Sequence, residues 1–349
     1  MAITRRSLVR NASALTVAAA ASSARAESGA TRAPVRPKRL RKGDRVRIVA
    51  PASVTYDTDE VDIAREALTA LGLTPSVGDH VMDRHGYLAG TDEARAADIN
   101  AAFTDPAIDG IIALRGGWGA ARTLPFIDFN LIRQNPKVFM GYSDITTLLN
   151  AITAQTGLVT FHGPNANTQW DPFTTAAMRA VVMDAKTPTM RNPQTMDGSL
   201  AVRTNRIQTI SAGVAQGRLL GGNLTLFTGL LGTDYFPNTT GALIFLEEVG
   251  EYIYRCDRLI NQLALAGAFD RVAGIVLGGF TDCGVDPSGG YGTFSLHDVF
   301  KHHFGGLGVP VFAGAMVGHV REKQTIPVGA QAGMNADDGT LKLIEPAVT

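Results

Sequence analysis

Gly141, Tyr142, Ser143 and Asp144 follow the strand-like run 136–140 and precede the apolar, helix-like run 145–152. A serine at the bend where a strand becomes a helix can present its hydroxyl above a sheet, with the next residue's N–H aimed at the reacting oxygen. The usual elbow of this kind reads G-x-S-x-G. Ile145 stands where the last glycine would be, so this is a related device on different spacing. The plainer alternative is a serine that merely caps a helix, and the tetrapeptide alone does not separate the two.

A hydroxyl nucleophile needs a base and a group to orient that base. Glu247, Glu248 and Glu251 close an apolar run; Glu247 follows it directly and is the best placed to orient an imidazole, although three acids at a strand end also make a solvated rim. Of the seven histidines, His319 and His162 fall at sheet edges where ligands gather. His319 follows Gly318 in a loop, a setting typical of surface histidines, and His162 reads equally as a wall or core residue. Ser143, Glu247 and His319 occur in the chain order of triads built on an elbow nucleophile.

Arg115, Gly116, Gly117, Trp118 and Gly119 lie where a strand passes into a helix, the end of an open α/β sheet at which ligands bind. Paired glycines let backbone N–H groups approach a substrate, though a tight turn explains them as well. Gly117 and Gly119 begin a G-x-G fingerprint. Arg122 occupies the third glycine position and this is not the first strand, so no dinucleotide cofactor is expected. His297, His302 and His303 lack the spacing of a metal site, and none is expected. Cys256 and Cys283 form no disulfide framework and read as buried thiols.

These residues need a scaffold. Residues 1–26 combine Arg5 and Arg6, an apolar stretch at 12–21, and Ala24, Arg25 and Ala26. That is a twin-arginine export signal with an A-x-A cleavage site, too short to span a bilayer, which needs ~20 residues. Cleavage after Ala26 would give an exported, periplasmic product. The signal holds four arginines and no acid, so 32 basic against 32 acidic side chains becomes 28 against 32, a net −4, which argues against a nucleic-acid partner. The basic residues from Arg32 to Arg47, interspersed with Pro34 and Pro37, read as a solvated linker.

Roughly 320 mature residues exceed one hydrophobic core. Strand-like 45–51, 108–114 and 138–142 alternate with helix-like 57–71 and 93–103, predicting an α/β fold with a mostly parallel, Rossmann- or flavodoxin-like sheet and helices on both faces. The rhythm breaks at 166–205 and resumes with helices at 223–231, 252–266 and 295–304. Strands are predicted there at 242–246, 272–280 and 309–313, with short ones near 325–328 and 340–344. The expected division is a signal at 1–26, a basic linker at 27–42, a nucleophile domain at 43–165, a linker at 166–205, and a mixed α/β domain at 206–349 carrying acid and base.

Segments 40–44, 49–53, 115–119, 135–144, 161–164, 220–224, 246–251 and 278–283, together with Gly318 and His319, give the chain a family likeness. It resembles the serine LD-carboxypeptidases, or muramoyl-tetrapeptide carboxypeptidases, and their relatives the microcin C self-immunity peptidases. Trp118 departs from the frequent tyrosine, and the cytoplasmic recycling members lack an export signal. The resemblance implies Ser143 as nucleophile, His319 as base and then acid, and Glu247 as its orienter, with Gly117 and Asp144 N–H groups as the oxyanion hole. It implies release of D-alanine from murein tetrapeptides with no cofactor or metal, a muropeptide as the small-molecule partner, and a homodimer as a family-level expectation. Arg115, Gly116 and Asn223 are candidates to bind substrate, Asn223 doubling as a helix N-cap. The competing expectations are cleavage of a peptidyl or aminoacyl nucleotide, and a non-catalytic envelope-binding module.

Overall fold

The computed structural model describes residues 32–193, 200–202, 206–288 and 292–349. The expected export signal, the first residues of the basic linker, parts of the expected inter-domain linker and residues 289–291 of the glycine-rich loop lie outside the described residues.

The protein is a two-domain α/β structure. In the N-terminal part, β1 (Arg45–Val49), β2 (Thr74–Val77), β3 (Gly110–Ala113), β4 (Val138–Gly141) and β5 (Thr160–His162) are all parallel, in the order β5-β4-β3-β1-β2. The strands β3, β4 and β5 are buried throughout, which is why they read as continuous apolar runs rather than alternating ones. Helix α1 (Thr58–Ala70) starts at an Asp57 cap that accepts from Asp59 N–H, and α2 (Asp92–Thr104) starts at a Thr91 cap. Gly72 takes φ +90° just beyond α1, the left-handed conformation a terminating glycine adopts without strain. Helices α3 (Phe129–Gln134) and α4 (Thr146–Thr156) flank β4, and α4 is buried along most of its length.

The stretch expected as a linker contains structure of its own. Asp171 caps α5 (Pro172–Met178), and β6 (Thr189–Met190) follows. The second sheet also holds β7 (Gln208–Ser211), β8 (Val214–Asn223), β9 (Ala242–Val249), β10 (Gly274–Thr281) and β11 (Val311–Ala313). Strand β12 (Ile326–Val328) precedes β13 (Gln331–Asn335) and β14 (Thr340–Leu343). The order of this sheet is β6-β14-β13-β8-β9-β10-β11-β7, with β8 to β11 parallel and the outer strands antiparallel. Helices α6 (Leu224–Thr228), α7 (Ile253–Leu265) and α8 (Leu296–Phe304) accompany it, α8 with a Ser295–Asp298 capping box. No described helix is long and apolar enough to cross a membrane.

Strands β2, β6, β7, β8 and β13 are absent from the sequence reading and β12 is misplaced in it; β12 and β8 bear on how the sheets meet. Ile326–Val328, expected within the second region, pairs antiparallel with β5 and completes the first sheet. The ten-residue β8 escapes detection because Gly217, Gly221 and Gly222 interrupt its apolar pattern. A Cβ at Gly217 or Gly221 would run into the carbonyl of Gly241 or Phe245, so glycine is what lets β8 lie this close to its neighbour.

The two sheets are joined by a buried polar seam. Asn150 on α4 donates from Nδ2 to Gly221 O (2.8 Å) and accepts from Gly221 N–H at Oδ1 (3.1 Å), as a paired peptide would. Beside it, Asn223 N–H donates to Thr146 Oγ1 (3.0 Å). A Cβ at Gly222 would meet Thr146 Oγ1 at 2.6 Å.

Candidate active site

The C-terminal ends of β4 and β5 from one sheet face those of β8 and β9 from the other. Gly141 is in register with His162, and Asn223 with Glu247. Ser143 follows β4 and has φ +65°, a left-handed conformation that costs a non-glycine residue energy and that clusters at functional sites. Tyr142 N–H donates to Asn165 Oδ1 (3.1 Å), which fixes the entry to the bend. Asp144 is the second residue of the short 3-10 turn Ser143–Ile145 that leads into α4. Its N–H lies at the positive end of that helical array, and its carboxylate is buried and accepts from Ala120 N–H (2.6 Å). Burial raises that carboxyl to about 6, against lowering by the Ala120 hydrogen bond and Arg95.

Gly116 and Gly117 bring backbone against the bend. A Cβ on Gly116 would sit 2.7 Å from Ser143 Cβ, 3.0 Å from Ser143 Oγ and 3.2 Å from Asp144 N. A Cβ on Gly117, which has φ +116°, would collide with Ser53 Oγ. Ser53 Oγ accepts from Trp118 N–H (3.0 Å) and pins this loop to the first sheet. The glycine pair thus keeps open a space within about 3 Å of both the hydroxyl and a backbone donor, where a reacting carbonyl can sit.

Glu247 is the last fully buried residue of β9 but one, and its carboxylate receives His319. His319 Nδ1 lies 2.7 Å from Glu247 Oε2, and His319 N–H donates to the same oxygen at 3.2 Å. That leaves Nε2 as the free edge of the ring. His319 rides on the segment between β11 and β12. There, Gly279 N–H donates to Val317 O (3.0 Å) and Thr281 Oγ1 to His319 O (2.8 Å), holding the segment against β10. The 278–283 motif therefore carries the histidine rather than the chemistry.

On the other side of Glu247, buried His162 places Nε2 3.7 Å from Oε1. Burial pushes the Glu247 carboxyl up, but His162 and His319 more than offset it and hold it at about 2. The 3.7 Å separation is too long for a hydrogen bond, so the contact to His319 is the firmer of the two. Tyr142 joins the two halves of the site: its ring centre is 5.0 Å from that of His319 and 6.2 Å from that of His162. His319 thus packs against the residue that precedes Ser143, although no hydrogen bond joins the Ser143 hydroxyl to the His319 ring among the described residues.

The other candidates are engaged in structure. Arg115 contacts Glu60 (3.6 Å) and Val54 O (3.4 Å). Asn223 caps α6 by accepting from Leu226 N–H and donates from Nδ2 to Glu248 Oε1 (2.8 Å). Glu248, expected on a solvated rim, is buried and also takes Thr225 Oγ1 (2.7 Å). Cys256 and Cys283 are free thiols, Cys256 buried and Cys283 half-buried. Asn150, Thr146, Ser53 and Asn165 were not singled out from sequence; each acts on a residue distant along the chain, and single-residue spacing carries no such signal.

Two sheets whose strand ends gather a serine bend, an imidazole and a buried carboxylate make this a two-domain α/β protein. The chain belongs to the LD-carboxypeptidase family, a serine peptidase family: residues 46–163 match its N-terminal domain and 216–334 its C-terminal domain. It is 37% identical over 319 residues to the probable murein peptide carboxypeptidase of Bacillus subtilis, covering 90% of this chain and 95% of that protein. It is 32% identical to the murein tetrapeptide carboxypeptidase of Pseudomonas aeruginosa, covering 82% and 92%. It is 28% identical to the microcin C7 self-immunity protein MccF of Escherichia coli, covering 74% and 80%. Among solved structures, MccF in complex with glutamyl sulfamoyl guanosine superposes with a TM-score of 0.81 at 25% identity, covering 90% of this chain and all of that one. The muramoyltetrapeptide carboxypeptidase of Oxalobacter formigenes gives 0.73 at 26% identity, covering 86% and 97%.

Proposed function

We propose that the protein is an exported serine carboxypeptidase that removes the terminal D-alanine from murein tetrapeptides. The observation that carries this reading is the 2.7 Å contact between His319 Nδ1 and Glu247 Oε2, on a histidine whose ring packs at a tilt against the residue preceding Ser143. Glu247, held ionised, fixes the tautomer and stabilises the imidazolium that forms, leaving Nε2 to serve the hydroxyl. Ser143 Oγ attacks the carbonyl before D-alanine while His319 takes the proton. The oxyanion is received by the N–H groups of Gly117 and Asp144, one such donor being worth about 10²–10³ in turnover. His319 then protonates the departing amine, and water, activated by the same base, hydrolyses the ester. General base assistance contributes on the order of 10²–10⁴.

The murein substrate is favoured over a nucleotide because identity is higher to the two murein carboxypeptidases than to the self-immunity protein. Export follows from the N-terminal sequence and would place the enzyme beside its polymer. Mass spectrometry of defined muropeptides incubated with the mature protein tests the reading, with an aminoacyl sulfamoyl nucleotide as the competing substrate. Tetrapeptide should become tripeptide, and the S143A variant should leave it intact. Undiminished release by S143A rejects the mechanism, and turnover of the nucleotide alone rejects the substrate. Binding of muropeptide without turnover by the wild type would mark an envelope-binding module instead.

A further inference from the structure

Lys323 is 5% exposed, yet its ammonium has no ion pair with any carboxylate among the described residues. Nζ donates one long hydrogen bond to Arg321 O (3.4 Å) and lies 5.2 Å from the centre of the Tyr142 ring. Its backbone is fixed, because Lys323 N–H donates to Thr174 Oγ1 (3.1 Å). The carboxylates whose field reaches it are Asp171 and Glu247. Asp171 is occupied in capping α5 through Phe173 N–H, Thr174 N–H and Thr174 Oγ1, and Glu247 holds His319 through Oε2. Buried charges in folded proteins are normally paired, and burial without a partner lowers this lysine's pKa.

The same Tyr142 ring that receives Lys323 also packs against His319. In the proposed reaction the nitrogen of the leaving D-alanine comes to His319, and the alanine carboxylate is attached to the carbon next to that nitrogen. A cation resting on the aromatic ring that supports the catalytic imidazole is therefore at the end of the substrate where a free carboxylate stands. Arg115, suggested by sequence for this task, is held by Glu60 and Val54. We infer that Lys323 binds the terminal carboxylate of the substrate and so confines the enzyme to the last residue of a peptide. This rests on the proposed function and names the group that makes it an exopeptidase.

The experiment compares kcat/KM for a tetrapeptide ending in D-alanine with that for the same peptide ending in D-alaninamide. The wild type should prefer the free acid by on the order of 100-fold, the effect of leaving one side of a buried charge pair unmatched. K323M should collapse that preference to within a few-fold of unity, and K323R, which keeps the charge on a different donor geometry, should restore part of it. A wild type that cleaves acid and amide equally well overturns the inference, and this comparison needs no variant to fold. So does a K323M enzyme slowed alike on both peptides with its preference intact, which would mark a merely structural lysine. Release of the terminal residue from neither peptide by the wild type, as D-alanine or D-alaninamide, removes the proposed function and this inference together, whereas release with an unchanged preference in K323M removes the inference alone.

Discussion

Gly318 is a glycine because Glu247 occupies the volume of its side chain. A Cβ at position 318, where φ is +95°, would overlap the Glu247 carboxylate. Only this close approach lets the N–H and ring of His319 reach the same oxygen. G318A should therefore lower kcat/KM by about 10²-fold or more and cost roughly 1–3 kcal/mol in stability through steric strain and the positive φ. Steady-state kinetics and urea melts check this; wild-type activity in G318A would show that the loop yields without consequence.

Ser143 holds a conformation that favours glycine. S143A and S143G should both abolish turnover, but they should differ in stability. Relief of the left-handed strain should leave S143G about 1 kcal/mol more stable than S143A. Thermal melts of the two inactive variants measure the difference, and S143A melting above S143G would mean the bend carries no strain.

Glu247 and Asp144 pull the pH dependence of stability in opposite directions. Asp144 is raised to about 6 from the ordinary 3.8 by burial, so its contribution is full below about 3.8 and is lost as pH climbs through about 6. Glu247 is held at about 2 against the ordinary 4.5, burial being outweighed by His162 and His319. Its contribution is present above about 4.5 and is lost as pH falls through about 2. D144N should remove the decline between pH 4 and 6, and E247Q should flatten the acid limb while lowering kcat on the order of 10⁴-fold. Denaturation midpoints from pH 2 to 8 read both, and unchanged slopes in both variants would refute the assignments.

Asn150 closes the seam between the sheets. N150A leaves the N–H and C=O of Gly221 unpaired in a buried position, each costing about 1–3 kcal/mol. The expected loss is roughly 2–5 kcal/mol by equilibrium unfolding, with a fall in kcat because β8 and β9 carry Asn223 and Glu247 to the site. An N150A protein as stable as the wild type would show that water fills in for the amide.

The fold was most legible where a single buried face or stripe dictated the residue types. Buried β3 and β4 and the buried end of β1 read as apolar runs, and α1, α2, α7 and α8 as helical spacing within a residue or two of their observed ends. Strand β8 was hidden because its glycines serve backbone contacts and the seam rather than a pattern of its own. Helix α5 was hidden by its brevity within a stretch rich in proline and threonine. At the candidate site, Ser143, Glu247 and His319 stood out in the sequence because strand ends and glycines mark them and the family likeness runs through them. Asn150 and Lys323 did not: their meaning lies in Gly221, 71 residues away along the chain, and in the ring of Tyr142, remote in sequence from Lys323.

His319 sits on a strap with its two ends anchored in different sheets, β11 in the second and β12 in the first. The chain crosses back after building most of the second domain, so cutting it near residue 206 would strip the first sheet of an edge strand as well as removing the imidazole. Neither half can be exchanged between relatives as a self-contained cassette. Any slippage of one lobe past the other would drag on the histidine's tether from both sides, which makes the fit of the seam a direct setting on catalytic alignment.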